Sequence, residues 1–364
     1  MTMDRLDSLD ALRGFDMFWI MGGESLICLI ASLCGAPDFW KDFGHAPWDG
    51  LHFMDTVFPL FLFIAGVSFP FSAANSLAKG RTTWQVALRA LRRGLALFAL
   101  GIVYNGFLST LDFAGFRIWS VLGRIGLAWM FAAWIYLAVR SVRARIVLAA
   151  GLLVAVTLVT RLVLAPGAAE GAGPFSPEGN LGCWLDRTLT SGHIYRPLFD
   201  PEGFAGLLPA VVTAMLGMFA GELVRRDATG RWKTRTMLCC GAGLVVLGLV
   251  WSFVFPINKA LWSPSFTLVV GGYSFLMFAV FYWIIDVKGW TRWSFFFKVI
   301  GVNSIAIYMG RAIIDFGHAR DFFLKGLAGL LPQSAGELLL RIGYIAACWL
   351  FLLFLYRKNV FLKV

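Results

Sequence analysis

Charge is scarce in this chain: Asp, Glu, Lys and Arg supply 15% of its 364 residues, against 59% hydrophobic ones. Soluble domains carry about 25%, and a mean hydropathy of +0.74 excludes a water-facing globule. Histidine is scarcer still, at four residues. His45, His52, His193 and His318 form no HxxxH or HExxH pair, so no single helix offers a metal site. The six cysteines contain no CxxC and fall mostly inside apolar runs, which argues against a disulfide framework or thiolate centre. Cys34 with Cys183 is the one pairing left open. Acidic residues are the minority sign, giving a net charge of +11. In a soluble chain that excess would suggest nucleic acid, but here the cations lie between apolar segments, where they set orientation instead. Fixed-period and inverted repeats are also missing. So is a lone N-terminal apolar segment of the cleaved kind, because apolar runs recur along the whole chain.

What is present is a series of such runs, each about 20 residues long and sufficient to span a bilayer. They lie near 11–33, 53–74, 87–108, 119–139, 145–165, 204–224, 236–256, 265–287, 295–315 and 337–356. The expected fold is an all-α polytopic membrane helix bundle of about ten spans, with residues 1–364 forming one transmembrane domain. Of the 32 Lys and Arg, 21 fall at one set of span ends, including Arg13, Arg81, Arg93, Arg143 and Arg226. The positive-inside rule then puts both termini in the cytoplasm. Loops at 34–52, 109–118, 166–203, 257–264 and 316–336 face the other side, and the two longest, 34–52 and 166–203, exceed plain connectors.

Ionisable groups inside the spans are costly to insert, so they mark interior or cavity-facing positions. Asp16 and Glu24 are eight residues apart in the first span, on nearby faces two turns apart if that helix is regular; Asp16 could equally pair with Arg13. Asp55 heads the second span, where a carboxylate suits the helix dipole. Arg124 lies too deep to snorkel easily and calls for an anion or a carboxylate. His45 stands before that second span in a backbone stiffened by Pro47, Trp48, Asp49 and Gly50. Such a setting can hold an imidazole for chemistry or simply anchor it at an interface.

Around these residues the run GHAPWDGLHFMDTVFPLFLFIAGVSFPFS resembles the signature of the heparan-α-glucosaminide N-acetyltransferase family, within the transmembrane acyltransferase superfamily. Six more motifs follow the family's order: LDALRGFDMFWIMGGE, VLGRIGLAWMFAA, GCWLDRTLTSGHIY, FDPEGFAGLLPAVVTAMLGMFAGEL, INKALWSPSF and GVNSIAIYMGR. The resemblance implies an enzyme that uses cytoplasmic acetyl-CoA to acetylate a terminal glucosamine amine across the membrane, with His45 matching the family's catalytic histidine. An asparagine that precedes that histidine in the family has no counterpart, since WIMGGES offers Met21, Gly22 and Glu24 instead. The luminal region of the lysosomal enzymes is also unmatched, so the expected acceptor is a periplasmic glucosamine-type sugar rather than heparan sulfate. The expected location is the bacterial inner membrane.

Acetyl transfer needs the amine deprotonated, the carbonyl oxygen stabilised and the thiolate able to leave. His45 would serve as general base or would carry the acetyl group itself, oriented by Asp55 or Glu24. CoA is too polar to cross a hydrocarbon core of roughly 30 Å, so its pantetheine arm must enter the bundle. Arg13, Arg124, Asn303 and Ser304 are the candidate donor contacts. Asn180, Asp186, Arg187, Asp200, Glu202, Asn258, Lys259 and Trp262 are the candidate acceptor contacts, with Trp184 as a further stacking surface. No metal is called for. The partners are acetyl-CoA, an amino sugar and the lipid bilayer, with a homodimer left open and nucleic acid set aside. Two alternatives stay open: O-acylation of a cell-envelope glycan, and a sugar transporter without acyl transfer.

Overall fold

The computed structural model describes residues 6–107 and 115–362; Arg5, Lys363 and most of the expected loop at 109–118 lie outside them. Among the described residues regular structure is helical, with two isolated antiparallel bridges, Asp49 to Asn258 and Leu164 to Asn180. The helices are α1 (Asp7–Phe18), α2 (Glu24–Leu33), α3 (Phe39–Phe43), α4 (Phe53–Ala78), α5 (Thr83–Tyr104), α6 (Val121–Ala138), α7 (Val142–Leu162) and α8 (Leu181–Leu189). They continue with α9 (Leu207–Arg225), α10 (Gly230–Trp251), α11 (Pro264–Tyr282), α12 (Phe295–Val302), α13 (Ser304–Ile313), α14 (Phe316–Gly329) and α15 (Gln333–Arg357).

Eight helical segments among the described residues are long and apolar enough to cross a membrane, or nine if α12 and α13, bent by 68° at Asn303, count as one broken span. This is fewer than the ten expected: the broken α12–α13 pair accounts for one and α5 for the other. α5 is 22 residues long, but Arg89, Arg92 and Arg93 crowd its first half. The core forms around α4, α9 and α11, whose apolar windows are 67%, 72% and 67% buried, whereas those of α7, α10 and α15 are 22%, 22% and 17% buried. The peripheral helices turn residues such as Val147, Leu162 and Val246 outward, as a lipid-facing ring requires.

Lipid tails supply no hydrophobic drive between helices, so close packing must do so. A Cβ on Gly217 of α9 would stand 2.0 Å from the Phe63 carbonyl oxygen of α4, and one on Gly66 would stand 2.2 Å from that of Ala214. Only glycine permits this approach. α4 stays continuous for 26 residues despite Pro59 and Pro70, because neighbouring helices support it.

The first span departs from a regular helix. A π-helical turn at Trp19–Gly23, with Gly22 at φ 135°, joins α1 to α2. The face relation expected between Asp16 and Glu24 is lost there. Asp16 is buried and acts electrostatically on Tyr273 of α11, while α2 leans against α15. Arg13 pairs with Asp10 at 3.1 Å, not with Asp16. Cys34 is exposed and Cys183 buried, both as free thiols, so the pairing left open does not form.

Candidate active site

The turn before α4 and the turn before α11 clasp each other. Gly50 donates its backbone N–H to the Ile257 carbonyl at 2.8 Å, and Asn258 Nδ2 donates to Asp49 Oδ1 at 3.0 Å. Asn258 Oδ1 then accepts from Leu261 N at 2.8 Å, and Ser263 Oγ accepts from Asn258 N at 3.0 Å. Trp262, at φ 49°, completes this tight turn. Trp48 Nε1 donates to the Phe175 carbonyl at 3.0 Å, which ties the long 166–203 loop to the same place. Two motifs some 210 positions apart thus bring Lys259 against His45.

The result is a three-residue cluster. His45 Nδ1 lies 2.8 Å from Asp55 Oδ1; Lys259 Nζ lies 3.0 Å from the same ring nitrogen and 3.3 Å from Asp55 Oδ1. The other oxygen, Asp55 Oδ2, accepts from Ala46 N at 3.1 Å and His52 N at 3.0 Å. A carboxylate only accepts and a lysine ammonium only donates, so Nδ1 cannot serve both; the tautomer with the proton on Nδ1 satisfies Asp55 and leaves Lys259 to donate to Asp55 Oδ1. Nε2 keeps its lone pair. Asp55 is 1% exposed while the His45 side chain is 57% exposed, so the carboxylate is buried and the imidazole accessible.

His45 and Lys259 line a cavity of about 980 Å³. It follows α4 from Met54 to Lys79 and Arg81 just past the helix end, and Arg13 and Arg93 stand on its wall beside the middle of that helix, at the level of Ala65 and Ser68. From that level towards Lys79 run Ser68, Ser72, Asn75 and Ser76, a polar stripe at helical spacing within an otherwise apolar span. Arg13 Nη2 reaches Ser68 Oγ at 3.4 Å. Glu202, Tyr104 and Tyr308 line the same cavity.

The chain matches the family model described as heparan-alpha-glucosaminide N-acetyltransferase, catalytic, over residues 5–250. It belongs to this family. The human heparan-alpha-glucosaminide N-acetyltransferase is 28% identical over an alignment covering 99% of this chain and 60% of the relative. The mouse protein of the same name is 27% identical, with 99% and 61% covered. The chain therefore spans about three-fifths of the length of the curated relatives it matches.

The expected site residues separate into two groups. His45, Asp55 and Lys259 meet, and Arg13, Ser304 and Glu202 line the cavity together with His45 and Lys259. The others are engaged elsewhere. Glu24 does not reach His45, because the bend at Gly22 carries it onto α2. Arg124 is fully buried and donates through Nη2 to the Gly203 carbonyl at 2.6 Å, away from the cavity. Asn303 donates to the Val360 carbonyl at 3.0 Å and accepts from Leu362 N at 3.2 Å, holding the segment after α15. Asn180 caps α8, accepting from Gly182 N at 2.9 Å. Arg187 donates to the carbonyls of Pro177 and Leu198, each at 2.8 Å. Asn258 is used by its turn, and Trp262 is wholly buried, with Nε1 donating to Thr213 at 3.1 Å; it offers no stacking face.

Asp186 and Asp200 brace the 186–204 segment. Asp186 accepts from Phe204 N at 2.6 Å. Burial pushes its carboxyl up to about 6, although that bond and the Arg124 charge oppose the shift. Arg117, absent from the sequence-derived candidates, donates to Asp200 Oδ2 at 2.9 Å and to Oδ1 at 2.6 Å, and also to Glu202. Burial works against its charge, but these two carboxylates outweigh it and raise its pKa. The signal for Arg117 was available, since it is among the minority of cations away from the cation-rich set of span ends. The α4 serine and asparagine stripe was likewise readable.

Proposed function

We propose that this chain is a membrane-embedded acetyltransferase that moves an acetyl group from cytoplasmic acetyl-CoA to the amine of a glucosamine-type sugar on the opposite side. In this reading ten spans cross the inner membrane of a bacterium, with both termini in the cytoplasm. α5 and the broken α12–α13 pair supply the two spans beyond the eight. The observation that carries the proposal is the single cavity joining a cationic mouth at Lys79 and Arg81, with Arg13 and Arg93 below it, to the His45, Asp55 and Lys259 cluster. Family membership and the relatives' printed names support the same chemistry.

The dimensions suit the donor. From Asp55 to Ser68 the rise along α4 is about 20 Å at 1.5 Å per residue, a depth suited to an extended pantetheine arm. Its thioester then reaches His45 while the pyrophosphate meets Arg13 and Arg93, which favour phosphate oxygens through their planar donor forks. The nucleotide lies nearer Lys79 and Arg81. Asp55 fixes the imidazole so that Nε2 faces the reacting groups. Nε2 takes a proton from the attacking amine as the N–C bond forms and the C–S bond breaks, then returns it to the departing thiolate. Alternatively Nε2 attacks first and carries the acetyl group to the amine. Purified protein with labelled acetyl-CoA and a panel of amino sugars tests the proposal: N-acetylated product is expected. Donor binding without product from any acceptor would overturn it.

A further inference from the structure

The transfer chemistry leaves unused a polar wall at the far end of the cavity from the cationic mouth. Glu202 lies on it, accepting from Arg117 at Oε2. Among the described residues nothing donates to its Oε1. Its acidic neighbours are committed: Asp200 accepts from Arg117 and from Tyr195 N at 2.8 Å, and Asp186 accepts from Phe204 N at 2.6 Å. Arg117 and Arg124 are the guanidiniums that act on these groups, so two cations face three carboxylates. The cluster therefore carries one excess negative charge, and Glu202 is its one carboxylate among the cavity-lining residues.

Beside it, the rings of Tyr104 and Tyr308 stack with centroids 4.4 Å apart at 27°. Both line the cavity, and Tyr308 is within electrostatic range of Glu202 and Arg117. A free carboxylate oxygen next to aromatic faces matches a ligand that carries a cation on a partly apolar ring. An amino sugar at neutral pH has that character. A neutral sugar, with a hydroxyl in place of the ammonium, would leave the carboxylate desolvated and unmatched, and sites built for a polar group reject analogues that lack it.

We propose that Glu202, braced by Arg117 and flanked by the Tyr104–Tyr308 pair, forms an ammonium-recognition subsite that makes the enzyme choose amines over alcohols. This rests on the acetyltransferase reading above. The ammonium docks on Glu202 and gives one proton to water. The free amine then attacks the thioester carbon, passing its second proton to His45 Nε2 as the C–S bond breaks, and His45 protonates the thiolate. The products are the amide, CoA thiol and one released proton.

Two measurements on the full chain test the subsite, with acetyl-CoA as donor. In wild-type protein, glucose should compete with glucosamine at least about tenfold more weakly than glucosamine's own KM predicts; equal competition would overturn the subsite. In Glu202→Gln, the ratio of kcat/KM for glucosamine to that for hydroxylamine, an uncharged nucleophile at neutral pH, should fall at least about tenfold, mostly through the glucosamine KM. Equal losses for both nucleophiles would show a merely structural role and overturn the proposal. If Glu202→Gln does not fold, the wild-type competition decides alone. Failure of wild-type protein to acetylate either nucleophile would overturn the acetyltransferase reading, and the subsite with it.

Discussion

At His45 the decisive quantity is which ring nitrogen carries the proton. Asp55, held by two backbone N–H groups, favours the tautomer with the proton on Nδ1, so loss of either member should remove the proposed base. His45→Ala is expected to lower turnover about 10²–10⁴-fold with little effect on acetyl-CoA affinity; Asp55→Asn should lower turnover by a similar factor while ligand-free melting changes less than activity. Steady-state kinetics with donor-binding titration checks both, and retention of a tenth of wild-type turnover in His45→Ala would contradict the assignment. Asp186 gives a different residue-scale outcome. Its folded pKa of about 6 lies above the ordinary 3.8, so between those values the folded state binds more protons than the unfolded one. Stability should therefore fall as pH rises through this window, by at most on the order of 3 kcal/mol. Asp186→Asn cannot ionise, so its melting temperature should gain on wild type from pH 4 to pH 7. A constant difference across that range would remove burial as the controlling effect.

At the scale of elements, what could be read from the sequence and what could not have separate physical causes. Apolar runs and cation placement revealed most spans, because a bilayer imposes length and polarity on each segment independently. The bend at Gly22, the break at Asn303 and the clasp between the 45–50 and 257–263 turns depend on neighbours distant in sequence and left no local pattern. For the same reason His45 and Asp55 were legible as a motif, whereas Lys259 was recognised as polar but not as their partner. Arg124 was legible as a buried charge that needs an anion, but not its destination. It reaches from α6 to the Gly203 carbonyl, with Glu202, Asp186 and Asp200 acting on it, and lies beneath the Trp262 ring at 5.2 Å. Its role is to join α6 to the turn before α9. Arg124→Ala should therefore lower ligand-free stability, by about 3–5 kcal/mol for removal of one partner among buried charges. A normal melting temperature with weakened acetyl-CoA binding would instead make it a donor contact.

The whole molecule has a direction, set by the two ends of one cavity. Along α4 the rise from Asp55 to Lys79 is about 36 Å at 1.5 Å per residue, comparable with a hydrocarbon core of about 30 Å. The His45–Asp55–Lys259 cluster and the Lys79–Arg81 end of the cavity therefore lie about one membrane thickness apart. In the proposed reading a phosphate-bearing donor is drawn to the cavity end with Lys79 and Arg81 and the arginines Arg13 and Arg93 below it, and it cannot cross the hydrocarbon to approach from the other side. Most cations of the chain lie at span ends on the side of that mouth, which the positive-inside rule assigns to the cytoplasm. The two arguments are independent, since one concerns ligand charge and the other insertion, and they predict the same sidedness. Sealed inside-out vesicles should use external acetyl-CoA to acetylate an amino sugar trapped within. Sealed right-side-out vesicles given external acetyl-CoA and external amino sugar, with no donor inside, should form no product until they are permeabilised. Product from the intact right-side-out vesicles would mean that the donor enters past His45, and the assignment of the arginine-lined mouth to CoA phosphates would fail even if the His45 chemistry stood.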